Sequence, residues 1–148
     1  MFILLVDNNR FFASVLSEML ANNGFKNIQY LDNGLECVMQ IYKGEIPDVI
    51  IIDENQCFVN GIDVLKNIRS SNPLLKIIIL TGEKSPLHVN LEPIKGVVRY
   101  IAKDTITSEN LPKLILTIEA DTRTMYSKPG FLNTFKAWRS SFAAFLNL

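Results

Sequence analysis

Four polar side chains of complementary chemistry come directly after apolar runs in this sequence. They are the carboxylates of Asp7 and Asp53, the hydroxyl of Thr81 and the ammonium of Lys103. Short apolar runs bounded by turn residues are typical of buried strands in a parallel sheet, and such sheets bind ligands at the carboxyl ends of their strands. If the four strands share one sheet, these groups converge at one edge. The carboxylates would suit a hard divalent cation, and the ammonium and hydroxyl would suit phosphoryl oxygens.

Apolar runs alternate with helical periodicities along the chain. Strands are expected over residues 1–6, 27–30, 49–52, 75–80 and 96–102. Helices are expected to begin near residues 12, 35, 61, 85 and 110, and the one near 85 should be short because Pro93 would interrupt it. Since parallel neighbours are joined by right-handed crossovers, this order predicts an α/β fold: a five-stranded parallel sheet with helices on both faces, over residues 1 to about 126.

Spacings of three and four residues predict which helix faces are buried. The first helix would bury Phe12, Val15, Leu16, Met19 and Leu20, the second Val38, Ile41 and Tyr42, and the last Leu111, Leu114, Ile115 and Ile118. Asn23–Gly24 and Gly44 are expected to end the first two helices, because glycine readily adopts the left-handed conformation after a helix.

The composition argues against several classes of protein. Lys plus Arg and Asp plus Glu number 15 each, so no net charge attracts the chain to nucleic acid or to an anionic membrane. Cys37 and Cys57 lack metal-ligand spacing and are expected to be reduced thiols. No basic segment precedes the first strand, which predicts a cytoplasmic protein without a secretory signal. His88 is expected to be an exposed residue without a catalytic role.

Five motifs in order along the chain resemble one known family. They are Ile3–Asp7, Pro47–Asp53, Gly61–Leu65, Ile79–Gly82 and Tyr100–Asp104. Together they resemble the receiver domain of two-component response regulators, the family that includes the bacterial chemotaxis regulator. One such motif would be a weak signal, whereas five in register are a strong one.

The resemblance implies a role for each residue at the predicted edge. Asp53 would accept a phosphoryl group from a sensor histidine kinase or a phosphotransfer protein, Thr81 would hydrogen-bond to the phosphoryl oxygens, and Lys103 would pair with them. Tyr100 would be the switch aromatic whose rotamer follows the threonine. Gly82 meets the family's demand for a small residue after the threonine.

The same resemblance implies a Mg²⁺ site and shows where this chain departs from the family. The metal ligands would be Asp7, Asn8, Asp53 and the backbone carbonyl of Asn55. Asn8 stands where the family usually has a second aspartate, so Mg²⁺ should bind weakly, because hard cations depend on the charge of their ligands. Cys57 and Asp104 stand where prolines are customary.

Residues 127–148 are predicted to form a C-terminal helical extension that the family does not explain. Its large aromatic residues recur at four, three, four and three residues: Phe131, Phe135, Trp138, Phe142 and Phe145. Such a seam must be covered. The helix could fold back on its own domain, form a homodimer or dock on a partner. A membrane surface is a weaker alternative, because only Lys136 and Arg139 of this segment's aromatic stretch are basic.

The sequence therefore predicts a single-domain response regulator that is not an enzyme and signals to a downstream protein target. A first alternative is a degenerate receiver that acts as an interaction module without phosphorylation. A second is a small phosphohydrolase with Asp53 as its nucleophile. Against the enzyme, the chain has no room for a substrate-binding cap domain, and Asn55 stands where a general acid would be needed.

Overall fold

The structure, a computed structural model, describes residues 1–57, 75–82 and 97–126. Five strands in these residues form one parallel sheet. They are β1 (Phe2–Val6), β2 (Asn27–Leu31), β3 (Val49–Asp53), β4 (Lys76–Thr81) and β5 (Val97–Ala102). Each of the five predicted strands is present, with ends that differ from the expected ones by at most one residue. The predicted α/β fold is confirmed.

Four α-helices lie in the described residues: α1 (Arg10–Asn22), α2 (Gly34–Tyr42), the single turn α3 (Glu54–Cys57) and α4 (Asn110–Tyr126). A 3₁₀ turn, Lys103–Thr105, follows β5. The helices predicted near residues 61 and 85, the Gly61–Leu65 motif, His88 and the extension 127–148 lie outside the described residues. No helix of the described part is both long and apolar enough to cross a membrane.

The chain divides into two compact units, Met1–Pro112 and Lys113–Leu148. The first unit contains the sheet and every predicted site residue. In the second unit the structure describes the part of α4 that begins at Lys113, where Ile115 and Ile118 are buried as the spacing predicted and Thr117 hydrogen-bonds to the carbonyl of Lys113. Pro112 is accommodated because it falls in the first turn of α4, where a missing N–H removes no helical hydrogen bond.

The strand order β2-β1-β3-β4-β5 places β3 at the centre of the sheet. Every residue of β3 is buried. A strand with both faces covered contains only buried side chains, which explains the unbroken run of isoleucines before Asp53. The carboxyl end of β3 is therefore flanked by the ends of β1 and β4.

Both faces of the sheet are covered. Alternate strand residues point to opposite faces. On one face, α2 contributes to a buried cluster whose members are Leu4, Val6, Cys37, Ile41, Ile50, Ile52, Leu75, Ile77 and Ile79. Ile3, Leu5 and Ile51, which alternate with these positions, are also buried. Because the β1-to-β2 and β2-to-β3 connections run in opposite directions across the sheet, right-handed crossovers place α1 on the face opposite α2.

Helix α1 ends as its sequence predicts and begins at Arg10, slightly before the expected position, but its buried face is rotated. The side chain of Asn9 accepts a hydrogen bond from the Phe12 N–H, and Gly24 follows the helix with a φ of 92°. The buried residues are Ala13, Leu16 and Leu20, whereas Val15 is 52% exposed, so that part of the prediction is wrong. At about 100° per residue, Val15 lies more than a quarter turn from the centre of the buried face.

Helix α2 shows a similar shift. Its buried residues are Cys37, Gln40 and Ile41, and the predicted Tyr42 is instead exposed. Gln40 can be buried because its amide exchanges two hydrogen bonds, of 2.9 and 3.0 Å, with the amide of Gln29 on β2. Burial also raises the pKa of the Cys37 thiol to about 12, so the group stays protonated and behaves as a small apolar side chain.

Candidate functional site

Four of the predicted site residues lie at the carboxyl ends of β1, β3, β4 and β5, which are neighbours in the sheet. Asp53 ends β3 and Thr81 ends β4, while Asp7 and Lys103 come directly after β1 and β5. Val6 pairs with Ile52, and Asp53 pairs with Leu80, so the ends of β1, β3 and β4 lie at one level. The convergence of these residues that the apolar runs predicted is therefore present.

The ammonium of Lys103 joins the two carboxylates. Its Nζ lies 2.7 Å from Asp7 Oδ2 and 3.2 Å from Asp53 Oδ1. The side chains of Asp7 and Asp53 are 0% and 3% exposed, while that of Lys103 is 26% exposed. Two buried carboxylates need a partner to remain charged, and one ammonium serves both. With both carboxylates ionised, the group keeps one net negative charge.

Hydrogen bonds hold Asp7 in this position. Its Oδ1 accepts from the Asn9 N–H at 2.8 Å, and its backbone carbonyl accepts from the Tyr30 hydroxyl at 2.9 Å. Its own N–H donates to the carbonyl of Leu31. One oxygen of the Asp7 carboxylate therefore accepts from the backbone, and the other contacts Lys103, which also contacts Asp53.

Neighbouring side chains also place Asp53 and Lys103. Asn55 Nδ2 donates to Asp53 Oδ2 at 3.1 Å. Lys103 Nζ lies 4.7 Å from the centre of the Phe12 ring, a distance at which an ammonium is attracted to the face of an aromatic ring. The periodicity of α1 had assigned Phe12 to the core only. Its contact with Lys103 was missed because the spacing says nothing about the residues beside the helix.

Thr81 is buried at the end of β4, and its hydroxyl donates to the carbonyl of Ile101 at 3.4 Å. Tyr100 lies on β5, is partly buried and packs against the cluster that α2 covers. A register shift in β5 pairs Tyr100 with Ile79 and Ala102 with Thr81. Because paired residues of parallel strands share a face, Thr81 and Tyr100 lie on the same side of the sheet.

A further contact connects the first residue of α3 with the end of β4. Glu54 Oε1 accepts a hydrogen bond from the Gly82 N–H at 2.9 Å. The sequence patterns did not predict this contact. The only signal for it was an acidic residue directly after Asp53 and a glycine directly after Thr81, and a partner for either could not be named before the register of β3 and β4 was known.

The donor set at this edge is suited to Mg²⁺. That cation is commonly held by one or two carboxylates with waters and phosphate oxygens completing its shell. Asp7 and Asp53 supply two buried carboxylates at one edge, and Asn8 and Asn55 are exposed beside them. Among the described residues, no group of three or more His, Cys, Asp or Glu side chains is arranged to hold a metal. Two carboxylates with amide oxygens beside them fit a cation that is held partly by neutral oxygens.

Comparisons with known proteins agree with this fold and site. The family profile of the response regulator receiver domain matches residues 3–116. The chain is 33% identical over 103 residues to the chemotaxis protein CheY-3 of Vibrio cholerae, covering 68% of this chain and 78% of that protein. It is 31% identical over 102 residues to the chemotaxis protein CheY of Thermotoga maritima, covering 68% and 83% respectively.

Solved structures of receiver domains have the same architecture. A response regulator receiver domain protein from Clostridium thermocellum superposes with a TM-score of 0.69 at 22% sequence identity, over 82% of this chain and 96% of that one. The chain belongs to the response regulator receiver domain family of two-component signalling. The family resemblance expected from the five motifs is confirmed.

The position of Lys103 predicts its effect on stability. Without divalent cations, Lys103→Met should lower the free energy of unfolding by about 1–3 kcal/mol, because two buried carboxylates lose their shared cation while partial exposure reduces the penalty. Urea unfolding followed by circular dichroism, with a chelator present, measures this change. Lys26→Met, at an exposed lysine, should stay within about 0.5 kcal/mol of the original chain. Equal stability of all three chains would contradict the role assigned to Lys103.

Proposed function

We propose that this chain is a single-domain response regulator in which Asp53 accepts a phosphoryl group from a partner histidine kinase or phosphotransfer protein. The observation that carries the proposal is the position of Asp53, buried at the end of the central strand with Lys103 Nζ 3.2 Å from its Oδ1. A carboxylate there is shielded from bulk water yet opens onto the edge where ligands of parallel sheets bind. We expect this exchange to take place in the cytoplasm.

In the proposed reaction an oxygen of Asp53 attacks the phosphorus of a phosphohistidine. The new P–O bond forms as the P–N bond breaks, and the imidazole leaves with its electron pair. Lys103 lies within reach of both aspartates and is placed to neutralise charge on the transferred group. Mg²⁺ held by Asp7, Asp53, the Asn8 side-chain oxygen and the Asn55 carbonyl would supply further positive charge to the phosphoryl oxygens.

The proposed switch begins at Thr81. Its hydrogen bond to the carbonyl of Ile101 is long, at 3.4 Å, so a charged phosphoryl oxygen would be a stronger acceptor for the same hydroxyl. Turning the hydroxyl toward Asp53 would change the space beside Tyr100, which lies on the same face. The signal would then reach the surface formed by β5 and be read by a downstream protein.

Asn8 supports the alternative of an interaction module that works without phosphorylation. The residue is exposed beside the Asp7 carboxylate, and its amide is neutral where the family usually has a second carboxylate. A weaker metal site would slow transfer to Asp53. The two proposals are distinguished by whether Asp53 becomes phosphorylated at all, and by whether a partner binds the unmodified chain.

The acceptor is tested by substitution. With acetyl phosphate and Mg²⁺, the original chain should gain one phosphoryl group, and Asp53→Asn should gain none because an amide cannot act as the nucleophile. Intact-mass spectrometry of the freshly quenched protein measures the adduct. Asp104→Asn removes an exposed carboxylate from the same edge and should leave the adduct unchanged. An adduct that persists in Asp53→Asn would place the acceptor elsewhere.

The metal site is tested by restoring a charge. Asn8→Asp should tighten Mg²⁺ binding by roughly threefold to thirtyfold, because one added charge close to the cation strengthens a hard-ligand site. Isothermal calorimetry gives both affinities. Asn9→Asp is a matched control, since Asn9 is also exposed but its side chain caps α1 and aspartate caps equally well. If both variants bind Mg²⁺ alike, residue 8 is not a ligand.

We also propose that residues 127–148 form a helical extension used for self-association. Exposing the aromatic seam would forfeit roughly 1.5–3 kcal/mol for each large side chain. Trp138→Ser in the full chain should therefore lower the oligomeric state, and Lys136→Ser, off the seam, should not. Light scattering measures the mass of each. A monomeric original chain would exclude the dimer, and deletion of 127–148 with circular dichroism would then test whether the segment stabilises its own domain.

A further inference from the structure

The contact between Glu54 and Gly82 places a second acidic group beside the proposed acceptor. Glu54 is bonded directly to Asp53, and its Oε1 accepts the Gly82 N–H at 2.9 Å. The two residues are 28 apart in sequence, so the hydrogen bond ties the first turn after β3 to the first residue after β4. Because α3 is a single turn of four residues, this contact joins two segments rather than two turns of one helix.

The Gly82 N–H is a backbone donor at the edge where the acceptor lies. Gly82 follows Thr81 directly, and β3 and β4 are paired with Asp53 opposite Leu80. Backbone N–H groups at the carboxyl edge of a sheet attract anions, and the Gly82 N–H already donates to the Glu54 carboxylate. A Cβ built on Gly82 would lie 3.5 Å from the same Glu54 oxygen, so the carboxylate is in contact with residue 82 itself.

We propose that Glu54 is a regulatory residue whose carboxylate competes with the phosphoryl group on Asp53 for the Gly82 N–H. In the unmodified chain Glu54 occupies the donor. A phosphoryl group on Asp53 brings three acceptor oxygens and about two negative charges to the next residue, which repels Glu54 and offers the N–H another partner. Glu54 thus sets how readily the site accepts an anion. This inference rests on the proposed role of Asp53.

Three substitutions separate the effect of the Glu54–Gly82 hydrogen bond from that of the negative charge on Glu54. Glu54→Ala removes the hydrogen bond and the charge. Glu54→Gln keeps the length and an acceptor oxygen but removes the charge, and Glu54→Asp keeps the charge but is one methylene too short for the observed contact. The dissociation constant for beryllium fluoride, a non-covalent phosphoryl mimic, is measured for each chain by calorimetry at fixed Mg²⁺. Glu36→Ala, at an exposed acid in the first turn of α2, is the matched control.

Glu54→Ala should bind beryllium fluoride about fivefold more tightly, the size expected for a partly exposed charge-assisted contact. Glu54→Asp should also bind more tightly than the original chain, because it frees the Gly82 N–H while keeping the charge. Equal affinity of Glu54→Asp and the original chain would overturn the competition for the donor. Equal affinity of Glu54→Ala and the original chain would overturn the whole inference.

Nuclear magnetic resonance of the Gly82 amide supplies a readout that does not depend on the anion. In the unmodified chain the amide proton should move upfield in Glu54→Ala and Glu54→Asp, because its carboxylate acceptor is lost, and stay in place in Glu36→Ala. An unmoved proton overturns the inference. If beryllium fluoride binds none of the chains and acetyl phosphate modifies none, both the role of Asp53 and this inference fail. If acetyl phosphate modifies the original chain on Asp53 but all chains bind beryllium fluoride with equal affinity, only the inference fails.

Discussion

The arrangement at the carboxyl edge of the sheet depends on one ammonium between two buried carboxylates. Lys103 Nζ lies within 3.2 Å of an oxygen on each of Asp7 and Asp53, although the three residues come from the ends of β1, β3 and β5. Two carboxylates brought out of water at one edge would repel each other, and an ion pair made by only one of them would leave the other uncompensated. The Lys103 ammonium, shared by the two carboxylates, allows both of them to be buried at the edge of the folded sheet.

The rest of the fold serves this edge. Isoleucine-rich strands with both faces covered hold β1, β3 and β4 in a parallel register, so that their last residues stand at one level. The backbone after β1 is fixed by Asn9, which caps α1 and also donates its N–H to Asp7. A rigid scaffold with polar groups on the connecting segments is the usual way a parallel α/β fold presents a site. In the described part of the chain, Asp7, Asp53, Thr81 and Lys103 each lie at or directly after the end of a strand.

Three groups at this edge, on Lys103, Thr81 and Glu54, would respond to the proposed phosphoryl group on Asp53. Lys103 is more exposed than the two carboxylates it joins, so its ammonium is accessible from the edge of the sheet. The Thr81 hydroxyl donates to the carbonyl of Ile101, and the Gly82 N–H donates to Glu54. A phosphoryl group on Asp53, as proposed above, would offer the Thr81 hydroxyl and the Gly82 N–H new acceptor oxygens at once. Small local exchanges of this kind are how a charge placed at one residue biases a larger surface.

Sequence patterns predicted the elements well and the rotation of the helices less well. Sequence patterns placed all five strands within one residue of their ends. The pattern is clearest in β3, which is buried on both faces and is an unbroken apolar run up to Asp53. Val15 and Tyr42 were assigned to buried faces and are exposed, since three- and four-residue spacing defines a stripe but not which edge of it meets the sheet. The segments 58–74, 83–96 and 127–148 lie outside this comparison.

By itself, the sequence determined the fold class and the family. It also determined that four polar side chains meet at one edge: Asp7, Asp53, Thr81 and Lys103. Each of them ends or directly follows an apolar run, and the carboxyl ends of parallel strands lie at the same edge of a sheet. Tertiary structure alone decided the partners. The extra residue in β5 turns Tyr100 to the face of Thr81, where an unshifted register would have placed it opposite. The pairing of β3 with β4 likewise brings Glu54 to Gly82. Contacts between strands depend on register, and register is a property of the assembled sheet.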